Sequence, residues 1–380
     1  MVKKLADKTF LEDVPCFKIV ISKLLRGAFR VFIFSIFSHE TKRMKRLVFS
    51  GGGTRCISFF HAIATLPPTI LSSVEEWWGC SAGALIASVL AVQQISNRYS
   101  LLTLVDKMKD IDFRQFRNVE IETLLNITST WGLDSGETLL QGVSNILEIV
   151  EPGASRWTLS DVPGLHIVVT DLTHNKVKVC HAGTHPSLLL THALRASMSL
   201  PFFYIPYRSV AGEVWVDGGI RANFPWVLLN EAQRAESLGF MFGTPQSGPI
   251  GDSPRTLAQY ILRMVHFGES YDYSAYKNII RVTIPNFPAW YLSLTPEDRV
   301  ELATAGQTAA EEFMRVWLVE NSRILPDPEG RLLPSPPPNS PVHLGVERSD
   351  TPLPLLPFQP LAVHRNPPLK SSRLNRRWSV

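Results

Sequence analysis

Residues 77–85 read WWGCSAGAL and place Ser81 between two glycines, immediately before an apolar run. In this G-x-S-x-G arrangement the serine occupies a tight strand-to-helix turn, where small neighbours are needed because the two backbones approach closely. Residues 84–92 are small or apolar throughout and predict the helix, and residues 74–78 predict the incoming strand. The stretch therefore predicts a nucleophile elbow, with the helix N-terminus directed at the Ser81 hydroxyl. An ordinary glycine-rich turn is also compatible with this sequence, so the other motifs decide between a nucleophile elbow and such a turn.

Composition narrows the possible function classes. The 380 residues are 45% hydrophobic, enough for one large core or two smaller ones. A net charge of +4 is too small to indicate a nucleic acid partner, but it agrees with contact with an anionic membrane surface. The four cysteines form no C-x-x-C pair, which predicts neither a zinc site nor a disulfide framework, and a reducing, intracellular location is expected. No acidic cluster accompanies the motifs, so no metal or other cofactor is expected.

The first 45 residues form a basic, amphipathic segment. Residues 16–37 are nearly all apolar, with four lysines and arginines at roughly helical spacing. The uninterrupted apolar run, residues 31–37, is too short to span about 30 Å of hydrocarbon. A helix lying in the membrane interface is therefore expected, with the basic residues of 42–46 adding attraction to anionic lipid. A helix packed on the folded domain and a true membrane span remain the alternatives.

A glycine loop precedes the elbow. Residues 47–50 predict a short buried strand, which runs into Gly51-Gly52-Gly53-Thr54-Arg55, and residues 56–66 predict a helix. A strand, a glycine loop and a helix together aim backbone N–H groups at an anion. A nucleotide phosphate would require G-x-G-x-x-G or a G-K-[ST] ending, and Cys56 stands at the sixth position. The oxyanion of an acyl intermediate is favoured, since a candidate nucleophile follows one helix and one strand later.

The second chemical motif is VWVDGG at residues 214–219. A strand that ends in Asp-Gly-Gly places the Asp217 carboxylate at the carboxyl edge of the sheet, where open α/β sheets hold their chemistry. A hairpin turn is the alternative for this motif taken alone. Further helices are predicted at 101–108, 137–149, 188–198, 254–266 and 296–319, and further strands at 165–172, 176–180 and 278–284.

The chain changes character in its last sixth. Nearly half of the 28 prolines lie there, and the final residues are basic. Such a composition does not build a packed core, so residues 323–380 are expected to be a disordered tail. A protein partner for this tail is one interpretation, and a solvated tail without a role is the other.

Three motifs in this order resemble those of the patatin-like phospholipases: Gly51-Gly52-Gly53-x-Arg55, Gly79-x-Ser81-x-Gly83 and Asp217-Gly218-Gly219. The linking segments are similar too, with A-x-x-A-S-x-S-x-P at residues 193–201 and N-x-P at residues 223–225. The resemblance implies a three-layer α/β fold with a central, mostly parallel sheet and a nucleophile elbow. The acylhydrolase domain would span residues 46–322.

The same resemblance implies a lipid acyl hydrolase of the phospholipase A type that acts on lipid at a membrane surface. Together with the reducing location expected from the cysteines, the sequence predicts a cytoplasmic protein that associates peripherally with membranes. Ser81 would be the nucleophile and Asp217 the general base. The oxyanion hole would comprise Gly51, Gly52, Gly53 and Arg55, with Gly79, Gly83, Gly218 and Gly219 supporting the motifs. Where the family usually has glycine after the arginine, this chain has Cys56, which we expect to crowd the oxyanion loop.

Two other functions compete with this one. A conventional α/β-hydrolase would use the order Ser81, Asp217, His266, although His266 looks like the end of a helix. An inactive patatin-like module would bind lipid or protein without turnover. His61, Trp77 and Trp78 are interpreted as structural residues.

Overall fold

The computed structural model describes residues 43–118, 125–243, 271–285, 287 and 291–322. The predictions for residues 1–42, for the helix at 254–266 and for the tail after residue 322 lie outside the described residues. The strands are β1 (Arg46–Phe49), β2 (Glu76–Cys80), β3 (Gly132–Asp134), β4 (Leu165–Asp171), β5 (Lys176–Cys180), β6 (Phe202–Tyr204), β7 (Tyr207–Arg208), β8 (Val214–Asp217), β9 (Ser237–Phe242) and β10 (Ile279–Val282).

The α-helices, numbered in chain order, are α1 (Ile57–Thr65), α2 (Pro68–Leu71), α3 (Ala82–Ser96), α4 (Leu101–Met108), α5 (Ile127–Thr130), α6 (Glu137–Val150), α7 (Leu190–Ser197), α8 (Gly219–Ala222), α9 (Glu231–Ala235) and α10 (Pro296–Ser322). Short 3₁₀ turns occur at Gly53–Cys56, Phe113–Phe116, Ala154–Arg156, Leu159–Asp161 and Pro225–Leu228. The helix predicted at 101–108 and the hairpin predicted at 165–180 are confirmed.

An eight-stranded sheet organises the domain, in the order β10-β9-β1-β2-β4-β8-β7, with β5 also paired to β4. β10, β9, β1, β2 and β4 run parallel, whereas β5 and β8 are antiparallel to β4, and β7 is antiparallel to β8. A separate two-stranded sheet joins β3 to β6. The expectation of an α/β fold with a central, mostly parallel sheet is confirmed.

Alternating side chains make the sheet the middle of three layers. Leu47 and Phe49 of β1 lie in the large apolar core on one face, whereas Val48 lies in a second core on the other face. The two neighbouring tryptophans of β2 divide in the same way, with Trp77 in the first core and Trp78 in the second. Both tryptophans are therefore core residues around the elbow, as predicted.

Helix α3 lies in the centre of the domain and packs tightly against the sheet. All of residues 82–93 are buried, so this helix is surrounded by the core over most of its length, as expected for a central helix. Its start is held close to β1, since a Cβ atom on Gly83 would lie 2.7 Å from the carbonyl oxygen of Phe49. Glycine at position 83 is thus required by the distance between two backbones.

We expect Gly83→Ala to lower the free energy of unfolding by about 3 kcal/mol or more, because the added methyl meets backbone oxygens that do not move cheaply. Gly212→Ala is the matched control: it has open space around it and a φ of 79°, so only backbone strain of about 1 kcal/mol applies. Urea denaturation of both variants measures the difference. Equal losses would contradict the close approach.

Candidate active site

Ser81 occupies the turn between β2 and α3 in a conformation that few L-residues adopt. Its φ is 53° and its ψ is −131°, outside the ordinary allowed regions for a residue with a side chain. The Ser81 N–H donates to Ser197 Oγ at 2.9 Å, and Ser197 Oγ in turn donates to the carbonyl of Val168 at 2.6 Å. Ser197 therefore ties the elbow to β4, and the predicted nucleophile elbow is confirmed.

Asp217 reaches the elbow by a different route from the one expected. β8 is antiparallel to β4, so its carboxyl end points away from the carboxyl edge of the parallel strands. The register nevertheless brings the two motifs together, because Val168 pairs with Cys80 and the next residue, Val169, pairs with Asp217. Asp217 thus ends its strand beside Ser81, having approached from the opposite direction.

A short hydrogen bond joins the two side chains. Ser81 Oγ donates to Asp217 Oδ2 at 2.6 Å, and Asp217 Oδ1 accepts from the Gly219 N–H at 2.7 Å. Asp217 is 5% exposed. Burial raises the pKa of its carboxyl to about 6, although the two hydrogen bonds act in the opposite direction. The group is therefore an ionised, stronger base than an ordinary aspartate at neutral pH.

The glycine loop lies directly beside this pair. The Gly51 N–H donates to the carbonyl of Asn223 at 2.9 Å, and no described residue accepts a hydrogen bond from the Gly52 N–H. Arg55 Nε donates to the Gly52 carbonyl at 3.3 Å, and the guanidinium lies 4.4 Å from the centre of the Phe242 ring. These contacts hold the Arg55 side chain against the loop backbone and the Phe242 ring, so Arg55 fixes the loop.

Cys56 points away from the site. Its side chain is 2% exposed, belongs to the large core and donates to the Ser50 carbonyl at 3.6 Å. The residues that line the cavity at Ser81 do not include it. The expectation that Cys56 crowds the loop is therefore not met, because the thiol fills core space behind the loop.

A cavity of about 170 Å³ opens next to Ser81 and Asp217. Its wall is mostly apolar and comes from separate parts of the chain: Leu85, Phe113, Phe116, Leu133, Leu139, Met198, Leu200, Phe203, Tyr204 and Leu292. Residues 51–55 line it as well. No local pattern marks these apolar residues in the sequence, since tertiary packing alone brings them together. An apolar cavity beside a serine and a carboxylate suits an acyl chain.

Among the described residues, no histidine lines this cavity. His61 lies half-buried on α1, where burial lowers the pKa of its ring. His266, the predicted third member of a conventional triad, lies outside the described residues. Both oxygens of Asp217 accept hydrogen bonds from described residues, Oδ2 from Ser81 and Oδ1 from Gly219.

A second cluster of polar side chains lies at the β4–β5 hairpin. His174 Nδ1 lies 2.7 Å from Asp171 Oδ2, and Lys178 Nζ lies 3.3 Å from the same oxygen and 2.5 Å from Glu213 Oε2. These acidic groups and the histidine are close enough to hold a metal ion. The ammonium of Lys178 already bridges the two carboxylates, so the cluster is an ion-paired network of the hairpin.

Comparison with known proteins relates part of the chain to one family. Residues 47–229 match the profile of the family described as Patatin-like phospholipase. An uncharacterised protein of Acanthamoeba polyphaga mimivirus is 23% identical over 192 residues, which are 50% of this chain and 62% of that protein. The match thus spans less than two thirds of this relative.

Two solved structures align with part of this chain. VipD from Legionella pneumophila aligns at 17% identity over 72% of this chain and 67% of that one, with a TM-score of 0.43. ExoU from Pseudomonas aeruginosa, solved in complex with SpcU, aligns at 17% identity over 73% of this chain and 53% of that one, with a TM-score of 0.34. With the sequence match and the motifs in register, residues 47–229 of this chain form a patatin-like phospholipase domain.

Proposed function

We propose that this chain hydrolyses the acyl ester bonds of membrane lipids, a phospholipase A activity, through a Ser81–Asp217 dyad. The observation that carries the proposal is the 2.6 Å hydrogen bond from Ser81 Oγ to a buried carboxylate whose pKa is raised to about 6. The match of residues 47–229 to patatin-like phospholipases supports the same class of reaction.

The first half-reaction forms an acyl-enzyme. Ser81 Oγ attacks the ester carbonyl while its proton passes to Asp217 Oδ2, which is already its hydrogen-bond acceptor. Negative charge develops on the carbonyl oxygen of the tetrahedral intermediate. The N–H groups of Gly52 and Gly53 would stabilise that charge, each contributing about 3 kcal/mol on the scale of known oxyanion donors. Gly51 instead uses its N–H to hold the loop against Asn223.

Collapse of the intermediate breaks the bond to the alcohol oxygen, and Asp217 returns the proton to the departing lysolipid. In the second half-reaction Asp217 takes a proton from water, which attacks the acyl-enzyme carbonyl. A second tetrahedral intermediate then releases the fatty acid, with the proton returning to Ser81. Asp217 acts twice as base and twice as acid, which suits a pKa of about 6.

The alternative functions have less support. A serine triad would need a histidine at the carboxylate, and the described histidines lie elsewhere. An inactive module would not need to keep a serine in a strained turn against a buried aspartate, an arrangement that carries a cost in stability. The dyad is therefore the function that the geometry favours.

The membrane part of the proposal rests on the substrate and on the N-terminal segment. Among the helices that the structure describes, none combines the length and apolar character needed to cross a bilayer. The interfacial helix within residues 1–45, the peripheral, cytoplasmic location and a protein partner for the tail stay predictions from sequence. These predictions are separate from the dyad proposal, which does not depend on them.

The dyad is tested by the initial rate of fatty-acid release from phospholipid vesicles in the presence of chelator. We expect Ser81→Ala and Asp217→Asn each to lower the rate roughly a thousandfold or more, as when a nucleophile or its base is removed. Ser88→Ala is the matched control for the serine, since this buried hydroxyl lies two turns further along α3. Asp106→Asn, at an exposed aspartate, is the control for the carboxylate.

Wild-type rates in both dyad variants would contradict the proposal. Loss of activity in His266→Ala with retention in Asp217→Asn would replace the dyad by a triad. A wild-type protein that hydrolyses neither phospholipid, neutral lipid nor soluble esters would favour an inactive module that binds lipid or protein.

The raised pKa of Asp217 predicts a pH profile. Because the base acts only when ionised, we expect kcat/KM for a soluble ester to rise with pH, to reach half its maximum near pH 6 and to level off above pH 7. Stopped assays from pH 4.5 to pH 8, corrected for spontaneous hydrolysis, measure this. A midpoint near 4, the value of an ordinary aspartate, would contradict a buried base.

The position of Cys56 predicts that restoring the family's glycine does little to catalysis. We expect Cys56→Gly to leave kcat within a few-fold of wild type and to lower stability by about 1–2 kcal/mol, because a buried side chain is deleted from the core. Ester turnover and urea denaturation measure the two effects. A large gain in kcat with no loss of stability would show that the thiol crowds the loop after all.

A further inference from the structure

The two-stranded β3–β6 sheet forms part of the cavity wall. The strands pair in parallel with Gly132 opposite Phe202. The residues that follow on each strand line the same cavity as Ser81 and Asp217: Leu133, Asp134, Phe203 and Tyr204. A molecule that contacts the start of these two strands is therefore only one or two residues along the chain from residues that line the cavity.

Two large aromatic residues stand at the start of this ribbon, and both are exposed. Trp131 precedes β3 and Phe202 begins β6, and each is 49% exposed. Both adopt a left-handed backbone, with φ of 63° for Trp131 and 67° for Phe202. Bulky residues rarely occupy this region, and the strain costs on the order of 1–3 kcal/mol each. Exposure and strain at the same two aromatic residues indicate a function other than packing.

The segment before Trp131 has the same surface character. Helix α5 contains no buried residue, and Leu125, just before it, is 78% exposed. A helical turn without a buried side chain gains little stabilisation from packing on the domain. The apolar residues of this segment therefore remain available to a partner.

Two exposed arginines lie near the ribbon. The guanidinium of Arg208 lies 5.7 Å from the centre of the Trp131 ring, and Arg208 is exposed. Arg117 is exposed as well and lines the cavity. The one acidic residue on the ribbon, Asp134, is buried and accepts from the N–H groups of Asn118 and Gly136. Arg117 and Arg208 thus offer exposed positive charge to an anionic surface, whereas the exposed Glu137 follows the far end of the ribbon in the chain.

We propose that the start of the β3–β6 ribbon, with Trp131 and Phe202, is the surface by which the protein docks on a phospholipid bilayer containing anionic lipid. The inference rests on the proposed function, since it supplies the route by which a lipid enters. Trp131 and Phe202 enter the headgroup region, where amphipathic aromatic rings are favoured. Arg117 and Arg208 contact lipid phosphates. The ribbon then leads an acyl chain along its own wall to Ser81.

The test uses the full chain with Trp131→Asn and Phe202→Asn combined. Asparagine tolerates a left-handed backbone, so the double variant loses the aromatic surface without added strain. Ile95→Asn is the matched control: it is 47% exposed and lies in the last turn of α3, about 20 Å along the helix from the elbow. Binding is measured by sedimentation with phosphatidylcholine/phosphatidylglycerol vesicles in a Ser81→Ala background, so that lipid is not consumed.

We expect the double variant to bind these vesicles about tenfold more weakly, because two half-exposed aromatic side chains no longer enter the membrane. The control variant should bind as tightly as the parent protein. With Ser81 intact, the ratio of vesicle hydrolysis to soluble-ester hydrolysis should fall by a similar factor.

Unchanged partition together with an unchanged hydrolysis ratio would overturn the proposal and assign this face to another occupant, such as a protein. Failure of the proposed function is distinguishable from this result. A wild-type protein that hydrolyses no ester would contradict the proposed enzymatic function. The binding assay does not depend on turnover, so it would still test the docking surface.

Discussion

The hydrogen bond between Ser81 Oγ and Asp217 Oδ2 is the interaction on which the candidate active site depends. It requires a serine held in a strained turn and a carboxylate withdrawn from water, and neither is stable without support. The support comes from the close approach of β1 and α3 at Gly83, and from Ser197, which holds the elbow N–H against β4. The packing around the sheet thus stabilises one short polar contact.

In the proposed mechanism, the burial of Asp217 strengthens it as a base and lowers the stability of the fold. The folded-state pKa of about 6 lies above the ordinary value of 3.8, so the folded protein binds more protons than the unfolded chain between these values. Stability contributed by this group is therefore present below about pH 4 and is lost as the pH rises through 6. The base is ionised only where it destabilises the fold, which is a common compromise at active sites.

The parts of the site that sequence predicts are those set by local geometry. Gly79 and Gly83 can be predicted because close backbone approach at the turn demands glycine. In the 51–55 loop, the side chains of Asn223 and Phe242 leave no room for a Cβ atom on Gly51 and Gly52. The antiparallel course of β8 was not predictable, since it depends on how β4 pairs across the sheet. The cavity wall was not predictable either, because residues as distant as Phe113 and Leu292 meet only in the folded domain.

In the proposed mechanism, Ser81 is an activated nucleophile that lines an acyl-binding cavity. The most direct measurement is covalent capture: incubation with a long-chain alkyl fluorophosphonate, followed by peptide mass spectrometry to locate the adduct. We expect a single phosphonylated residue, Ser81, and strongly slowed labelling in Asp217→Asn. An unlabelled Ser81 in the folded protein, or labelling at the same rate without the Asp217 carboxylate, would contradict it.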